Sequence, residues 1–229
     1  MRLFRLLLRK KQSKGHGIHS PFAFDIITNV LNSPYSYYAF TDIPESFPYS
    51  KGRSNKIKKF NHLSFRLVNH FKAINILEIN PENGFNTSYI KSPSSKINYK
   101  SISGIGSFEN ANEENGSTLN SVNVYASEVS ATGVNVVEVS ESEVSETELN
   151  YDAIFININE DENSIPPIEW LLNISHENTF WVINPINTKY SKHFYQLIVN
   201  HESVTMSFDI NTTLVVFLRQ SYYKHHYFV

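Results

Sequence analysis

The amino-acid sequence predicts an α/β fold built on a mostly parallel β-sheet. Ala73–Ile79 is a short apolar run directly after a helical pattern, as expected of a buried strand. Similar runs recur along the chain with helical or loop stretches between them, which is the alternation of a parallel sheet. The last two runs are separated only by a very short turn around Asn211, so we expect them to form an antiparallel hairpin.

Composition limits the class of protein. The chain has 229 residues, of which 41% are hydrophobic, and this favours one globular core. It has no cysteine, which excludes disulfides, thiolate zinc sites and cysteine nucleophiles. The nine histidines are scattered, so we expect no metal site. The apolar runs near the N-terminus are broken by Arg2, Arg5 and Arg9, and no secretory leader or membrane span is predicted. A cytoplasmic protein is the simplest interpretation.

The same three arginines lie on one face of a short basic amphipathic helix. We expect its leucines to pack on the domain, and we consider docking of the helix on an anionic membrane surface a less favoured alternative. Further on, Ser20 is predicted to cap a helix that starts at Pro21 and ends near Asn32.

The strongest helical pattern spans Asn55 to Phe71, where apolar residues recur at three- and four-residue steps. Before it, Tyr35 to Phe40 is interpreted as a packed loop, and a last helix is expected from Lys189 to Asn200. The remaining predicted strands are Ile97–Ile102, Val134–Val139, Tyr151–Asn157, Phe180–Asn184, Val204–Ile210 and Thr213–Leu218.

Charge is distributed unevenly along the chain. Residues 1–100 hold 16 Lys and Arg against 5 acids, whereas residues 101–188 hold 15 acids and no Lys or Arg. This asymmetry could support a homo-oligomer or an anionic protein partner, but the favoured interpretation is two solvated faces of one domain. Nucleic-acid binding is not favoured, because the acidic middle would repel phosphates.

Several blocks resemble a family of bacterial class I S-adenosylmethionine-dependent methyltransferases. The most specific is the block KGHGIHSPF, Lys14 to Phe22, and a second runs from Leu63 to Glu78. The resemblance implies a Rossmann-like class I methyltransferase fold, with a mostly parallel seven-stranded sheet, a C-terminal antiparallel hairpin and helices on both faces. It also implies an N-terminal helical extension over residues 1–52 and an α/β domain over residues 53–229.

The resemblance further implies where a cofactor would lie. In the family, the first strand delivers an acid and a glycine-rich turn, and Glu78, Asn80 and Gly84 stand at the matching positions. The acid that takes the ribose hydroxyls is replaced by Ser103, and the Asp after the fourth strand by Asn157. The paired acids after the fifth strand are replaced by a run that begins with Asn184.

Four polar substitutions around one pocket lead to the hypothesis of a methyltransferase-like protein with a degenerate cofactor site. Such a protein would be weakly active or inactive and would act as a binding or scaffold protein. The alternative is an active methyltransferase for a small-molecule substrate, holding S-adenosylmethionine through Glu78, Gly84 and backbone groups. No residue is assigned as catalytic, since an asparagine cannot serve as a base.

Overall fold

The computed structural model describes residues 2–46, 55–102, 129–130, 133–134, 150–159 and 165–229. The helices are α1 (Arg2–Gln12), α2 (Pro21–Asp25), α3 (Ala39–Ser46), α4 (Asn55–Phe71), α5 (Phe85–Lys91), α6 (Ile168–Asn173) and α7 (Ser191–Asn200). The strands are β1 (Asn75–Ile79), β2 (Asn98–Ile102), β3 (Val129–Ser130), β4 (Gly133–Val134), β5 (Tyr151–Asn157), β6 (Ser175–Asn184), β7 (Met206–Ile210), β8 (Thr213–Phe217) and β9 (His225–Phe228).

Seven of these strands form one mixed sheet in the order β2-β1-β5-β6-β8-β7-β9. The pairs β2·β1, β1·β5, β5·β6 and β7·β9 are parallel, whereas β8 runs antiparallel to both of its neighbours. The predicted mostly parallel sheet with a closing antiparallel hairpin is therefore confirmed. The hairpin forms because Asn211 takes a φ of 65°, a left-handed conformation that asparagine tolerates better than most residues.

The predicted strand Val134–Val139 is not confirmed. Val134 belongs to β4, which pairs only with β3 in a separate two-stranded ladder, and residues 135–139 lie outside the described part of the chain. The seventh strand of the main sheet is instead β9, near the C-terminal end of the sequence. Its backbone pairs with the edge of β7, for example Met206 with His225.

Helices cover both faces of the sheet because each central strand is apolar on both sides. On one face, α2, the segment that follows it and α4 pack on the sheet. Their side chains Ala23, Ile26 and Leu67 belong to the same apolar cluster as Ile76, Phe155 and Val182 of the strands. The other face is covered by α6 and α7. Their inward side chains Leu171, Phe194 and Ile198 pack with the strand residues Leu77, Ile154, Trp181 and Leu214.

The start of the second helix follows the sequence pattern. The Ser20 side chain accepts a hydrogen bond from the Ala23 backbone N–H at 3.2 Å, which caps α2 as predicted. The helix continues as a π-helical segment, Ile26–Leu31, which ends one residue before the predicted limit.

The stretch from Tyr35 to Phe40 differs from the packed loop that the sequence predicts. Helix α3 begins at Ala39, and the Tyr35 and Tyr38 side chains are exposed. Tyr37 and Phe40 do pack, with ring centroids 4.7 and 5.3 Å from that of Phe65. Among the described residues, no helix is long and apolar enough to cross a membrane.

Candidate functional site

A cavity of 270 Å³ opens at the carboxyl ends of the parallel strands β1, β5 and β6, beside the start of α5. This edge is where open α/β sheets bind ligands, because loops diverge there and leave a crevice. The volume lies just below the range for small-molecule pockets, roughly 300 to 1,000 Å³. The described residues that line it are Ile57, Phe60, Asn61, Glu78, Glu82, Asn83, Gly84, Phe85, Asn86, Thr87, Asn157, Asn184, Pro185, Asn187 and Thr212.

Glu78 is the most buried ionisable group of this site, with 1% of its surface exposed. Its Oε2 accepts hydrogen bonds from Thr87 Oγ1 at 2.6 Å and from Tyr99 Oη at 2.7 Å. Its Oε1 accepts from Asn86 Nδ2 and Asn157 Nδ2, both at 3.3 Å. A carboxylate has about four lone-pair sites, so these four donors use its acceptor capacity. Glu78 therefore joins β1, β2, β5 and α5 and is not free to bind a ligand.

The pKa of Tyr99 reflects the burial of the region around Glu78. Burial, and then the neighbouring Glu78 carboxylate, raise the pKa of its phenol well above the ordinary value. The phenol consequently stays protonated and keeps donating to Glu78.

Asn80 stands where the family resemblance expects the first glycine of the turn. Its φ is 53°, so the backbone is left-handed, as a glycine would readily allow. Its side-chain Nδ2 donates to the Asn157 backbone oxygen at 3.2 Å, and its backbone N–H donates to Ile102 O at 2.7 Å. Asn80 is buried beneath the cavity and is not among the lining residues.

Gly84 takes a left-handed backbone conformation that suits glycine. It precedes α5 with a φ of 73°, and a Cβ added there would meet no atom within 4 Å. The space above Gly84 is therefore open to the cavity, so a ligand could approach the backbone closely at this point.

Asn157 and Asn184 end neighbouring strands and lie directly opposite each other in the sheet register. Both side chains line the cavity, and Asn184 Oδ1 accepts a hydrogen bond from Thr213 Oγ1 at 3.0 Å. Amides can orient a ligand by hydrogen bonds but do not ionise near neutral pH, so they cannot act as an acid or a base. Ser103, the expected ribose contact, lies outside the described residues.

The structure thus brings Glu78, Gly84 and Asn157 together around one cavity, with Asn80 beneath it. Sequence reasoning missed Asn61, which is 2% exposed on α4 and lines the same cavity. Its Nδ2 has no hydrogen-bond partner among the described residues. Its position one residue after Phe60 and two before Leu63, within the apolar pattern of α4, was a signal that could have found it.

The electrostatic character of the cavity follows from its lining. Glu78 and Glu82 are acidic, and none of the described lining residues is Lys, Arg or His. An anionic ligand would find no opposite charge among these described residues, whereas a neutral or cationic ligand meets amide oxygens and carboxylates. The described residues also contain no group of three or more His, Cys, Asp or Glu side chains placed to hold a metal ion.

A second polar cluster lies at the β7·β9 edge of the sheet. His226 Nδ1 is 2.7 Å from Ser207 Oγ, and its Nε2 is 2.9 Å from Tyr195 Oη. Tyr195 Oη in turn donates to Asp209 Oδ2 at 3.1 Å. Burial lowers the pKa of His226 to about 4, so the imidazole is neutral near pH 7. Ser207 is buried, so its hydroxyl is not accessible to a substrate, and the cluster is structural.

The chain is similar to known proteins in structure only. No protein-family model matches the chain, and no curated protein matches it by sequence. The solved structure of cofactor-bound Rv0187 from MTB aligns over 89% of this chain and 100% of its own, with 11% identity and a TM-score of 0.45. A Klebsiella pneumoniae protein described as an O-methyltransferase aligns over 84% and 94%, with 12% identity and a TM-score of 0.43. Likeness at this level does not identify a function.

Proposed function

We propose that the chain is a methyltransferase-like protein of the class I fold that binds a small neutral or cationic molecule and transfers methyl groups weakly or not at all. The fold part of the proposal is supported by the strand order. A parallel series of strands followed by a single reversed strand, β8, inserted between β6 and β7, is the arrangement that the family resemblance implies.

The proposed loss of activity is supported by one observation: hydrogen bonds within the protein occupy the Glu78 carboxylate. Four donors from Asn86, Thr87, Tyr99 and Asn157 use both of its oxygens inside the protein. A cofactor that required this carboxylate would have to displace at least one of these donors and leave it unpaired in a buried place. Leaving a buried polar group unpaired costs about 1 to 3 kcal/mol, or roughly one to two orders of magnitude in affinity.

A base for methyl transfer is also missing from the described lining. Its ionisable side chains are Glu78, which is enclosed, and Glu82, which is exposed to solvent. General-base catalysis needs a group within hydrogen-bond reach of the proton it removes, and the asparagines cannot take that role. Among the described lining residues no enclosed base would activate a hydroxyl acceptor, so an acceptor that is already nucleophilic would be favoured.

The fit to S-adenosylmethionine is mixed. The backbone fits, because Asn80 and Gly84 keep the left-handed conformations of a glycine-rich turn and Gly84 is open to the cavity. The side chains fit less well, because the Glu78 carboxylate is occupied and Glu82, the other acid of the described lining, is exposed to solvent. When bound, the cofactor would supply an electrophilic methyl group, and the residues of this chain would only position it.

Isothermal titration calorimetry with S-adenosylmethionine tests the proposal. We expect no saturable binding tighter than about 1 mM. Binding in the micromolar range together with methyl transfer to any acceptor would contradict it. Asn187→Trp, at an exposed lining position, fills the cavity mouth, and Asn173→Trp, exposed at the end of α6 and outside the lining, is the matched control. If any binding heat comes from a ligand in the cavity, Asn187→Trp should abolish it and Asn173→Trp should not.

The second candidate function is an active small-molecule methyltransferase. The preserved geometry of the turn favours it, since a ligand can still approach the backbone at Gly84. Catalysis would then depend on alignment of an already nucleophilic acceptor rather than on a base. Micromolar cofactor binding that Asn187→Trp abolishes and Asn173→Trp preserves would support this candidate over the first.

A further inference from the structure

Helix α1 docks on the sheet through its polar side chains rather than its leucines. Arg9 donates from Nη1 to the backbone oxygens of Asp209 and Val229, and its Nη2 lies 2.9 Å from Asp209 Oδ1. Gln12 Oε1 accepts the Phe228 backbone N–H at 2.8 Å. These contacts join α1 to the β7·β9 edge and fix which side of the helix faces the protein.

The docking turns the apolar side of the helix outward. Phe4, Leu6 and Leu7 are 65%, 56% and 67% exposed, so the expectation that the leucines pack on the domain is wrong for this part of α1. The physical reason is that Arg9 finds a carboxylate and two carbonyl oxygens at the sheet edge, and the helix cannot present both faces there. A cluster of exposed apolar side chains on a folded protein usually marks an interaction surface.

Basic residues accompany this cluster. Residues 1–24 contain six Lys and Arg and no Asp or Glu. Lys10, Lys11 and Lys14 are exposed, and Lys10 and Lys11 follow Leu6 and Leu7 by four residues on the same helix. Arg5 and Arg9 face the sheet edge instead, where Arg5 lies over the Phe228 ring and Arg9 pairs with Asp209. We define the outer face of α1 as Phe4, Leu6, Leu7, Lys10 and Lys11.

We propose that the outer face of α1 docks on an anionic lipid bilayer. The helix has 11 residues, or about 16 Å, so it lies in the plane of the interface and does not span the membrane. Phe4, Leu6 and Leu7 insert below the headgroups, and the lysines contact lipid phosphates. A helix of this kind needs both apolar burial and positive charge, and the outer face of α1 supplies both.

The charge pattern favours this occupant. Because residues 1–24 contain no Asp or Glu, this segment itself carries no negative charge that would repel an anionic surface. The acidic stretch of a second copy, residues 101–188, would complement the same charge. Self-association is therefore the outcome that the experiment must distinguish.

Vesicle flotation with the full chain tests the proposal, using vesicles of phosphatidylcholine alone and of phosphatidylcholine mixed equally with phosphatidylglycerol. We expect at least about tenfold more protein on the anionic vesicles at low salt, and a decrease as salt screens the lysines. The double variant Phe4→Ser/Leu7→Ser should lose on the order of tenfold in binding. Both residues are exposed, so this variant should fold normally, which circular dichroism will check.

Leu197→Ser is the matched control, since Leu197 is an exposed apolar residue of α7 and lies outside the outer face of α1. It should bind anionic vesicles as the unmodified chain does. Equal binding to both kinds of vesicle, or no binding to either, overturns the proposal. A salt-sensitive oligomer in light scattering that Phe4→Ser/Leu7→Ser converts to monomer also overturns it, because the outer face would then belong to an interface between copies.

Discussion

Arg9 and Asp209 are 200 positions apart in the sequence and form an ion pair with Nη2 and Oδ1 at 2.9 Å. Their side chains are 24% and 11% exposed, so the pair is largely shielded from water. Asp209 also accepts hydrogen bonds from Tyr195 Oη and the Asn211 backbone N–H. Through this carboxylate the first helix, the last helix and the closing hairpin are held together.

Replacing Arg9 by methionine should therefore destabilise the protein. Hydrogen bonds to a charged group contribute about 1.5 to 3 kcal/mol, and we expect Arg9→Met to lower the free energy of unfolding by about 1 to 3 kcal/mol. Urea denaturation measures this change. Lys10→Met, at an exposed position of the same helix, should stay within about 0.5 kcal/mol of the unmodified chain. Similar losses for the two variants would show that the ion pair does not stabilise the fold.

Glu78→Gln should destabilise the protein although the new side chain has nearly the same size. The glutamine amide would present N–H groups to one pair of donors, either Thr87 and Tyr99 or Asn86 and Asn157. We expect a loss of about 2 to 3 kcal/mol in the free energy of unfolding, because buried donors are left unpaired.

Thermal denaturation followed by circular dichroism checks the effect of Glu78→Gln. Glu82→Gln, which removes the exposed acid of the same cavity, is its control and should change stability little. If Glu78→Gln were as stable as the unmodified chain, the four hydrogen bonds would not hold the carboxylate, and the argument for an occupied site would fail.

Stability should decrease on acidification because of His226. Burial lowers its pKa from the ordinary 6.5 to about 4. Between these two values the unfolded chain binds a proton that the folded protein does not, so stability is full above pH 6.5 and falls as the pH falls towards 4. The expected loss from this residue is roughly 2 to 3 kcal/mol.

Urea denaturation of the unmodified chain and of His226→Gln at several pH values isolates this contribution. Other titrating groups are common to both proteins, so the difference between the two curves reports His226. His193→Gln, at an exposed position of α7, is the control for replacing a histidine by glutamine. Parallel curves for the unmodified chain and His226→Gln would show that His226 is protonated equally in the folded and unfolded states.

Gly84→Ala tests the turn before α5. The φ of 73° is strained for alanine, whereas the added Cβ meets nothing within 4 Å, so the cost is conformational and not steric. We expect about 1 kcal/mol of destabilisation for alanine and less for asparagine, which tolerates the left-handed region. Chemical denaturation of Gly84→Ala and Gly84→Asn gives the comparison. An equal cost for both variants would indicate a clash that the present geometry does not contain.

Much of the fold could be predicted from local pattern. The helix Asn55–Phe71 and the strand Tyr151–Asn157 were predicted with the same limits that the structure shows, because both have unbroken apolar patterns. The cap at Ser20 followed from Ser-Pro chemistry. The start of α3 at Ala39 was missed, since a stretch rich in aromatic residues has no clear period.

The site was predicted only in part. The positions Glu78, Gly84 and Asn157 come from the resemblance, and the structure places them at one cavity. Asn86 and Thr87 were not predicted, because their hydrogen bonds to Glu78 join separate elements and do not follow from local sequence. Asn61 was missed although its place in the apolar pattern of α4 marked it. Asn80 was expected in the cofactor turn, and its side chain instead bonds to the strand beside it.

The sequence by itself determined the α/β class, the reversed hairpin and the basic character of the first helix, because these depend on periodicity, turn residues and charge within short segments. Only the tertiary structure decided which side of that helix faces solvent and that the Glu78 carboxylate is occupied. Both depend on partners distant in sequence, such as Asp209 for Arg9 and Tyr99 for Glu78. A hydrogen bond has a partner and a direction that local sequence patterns do not specify.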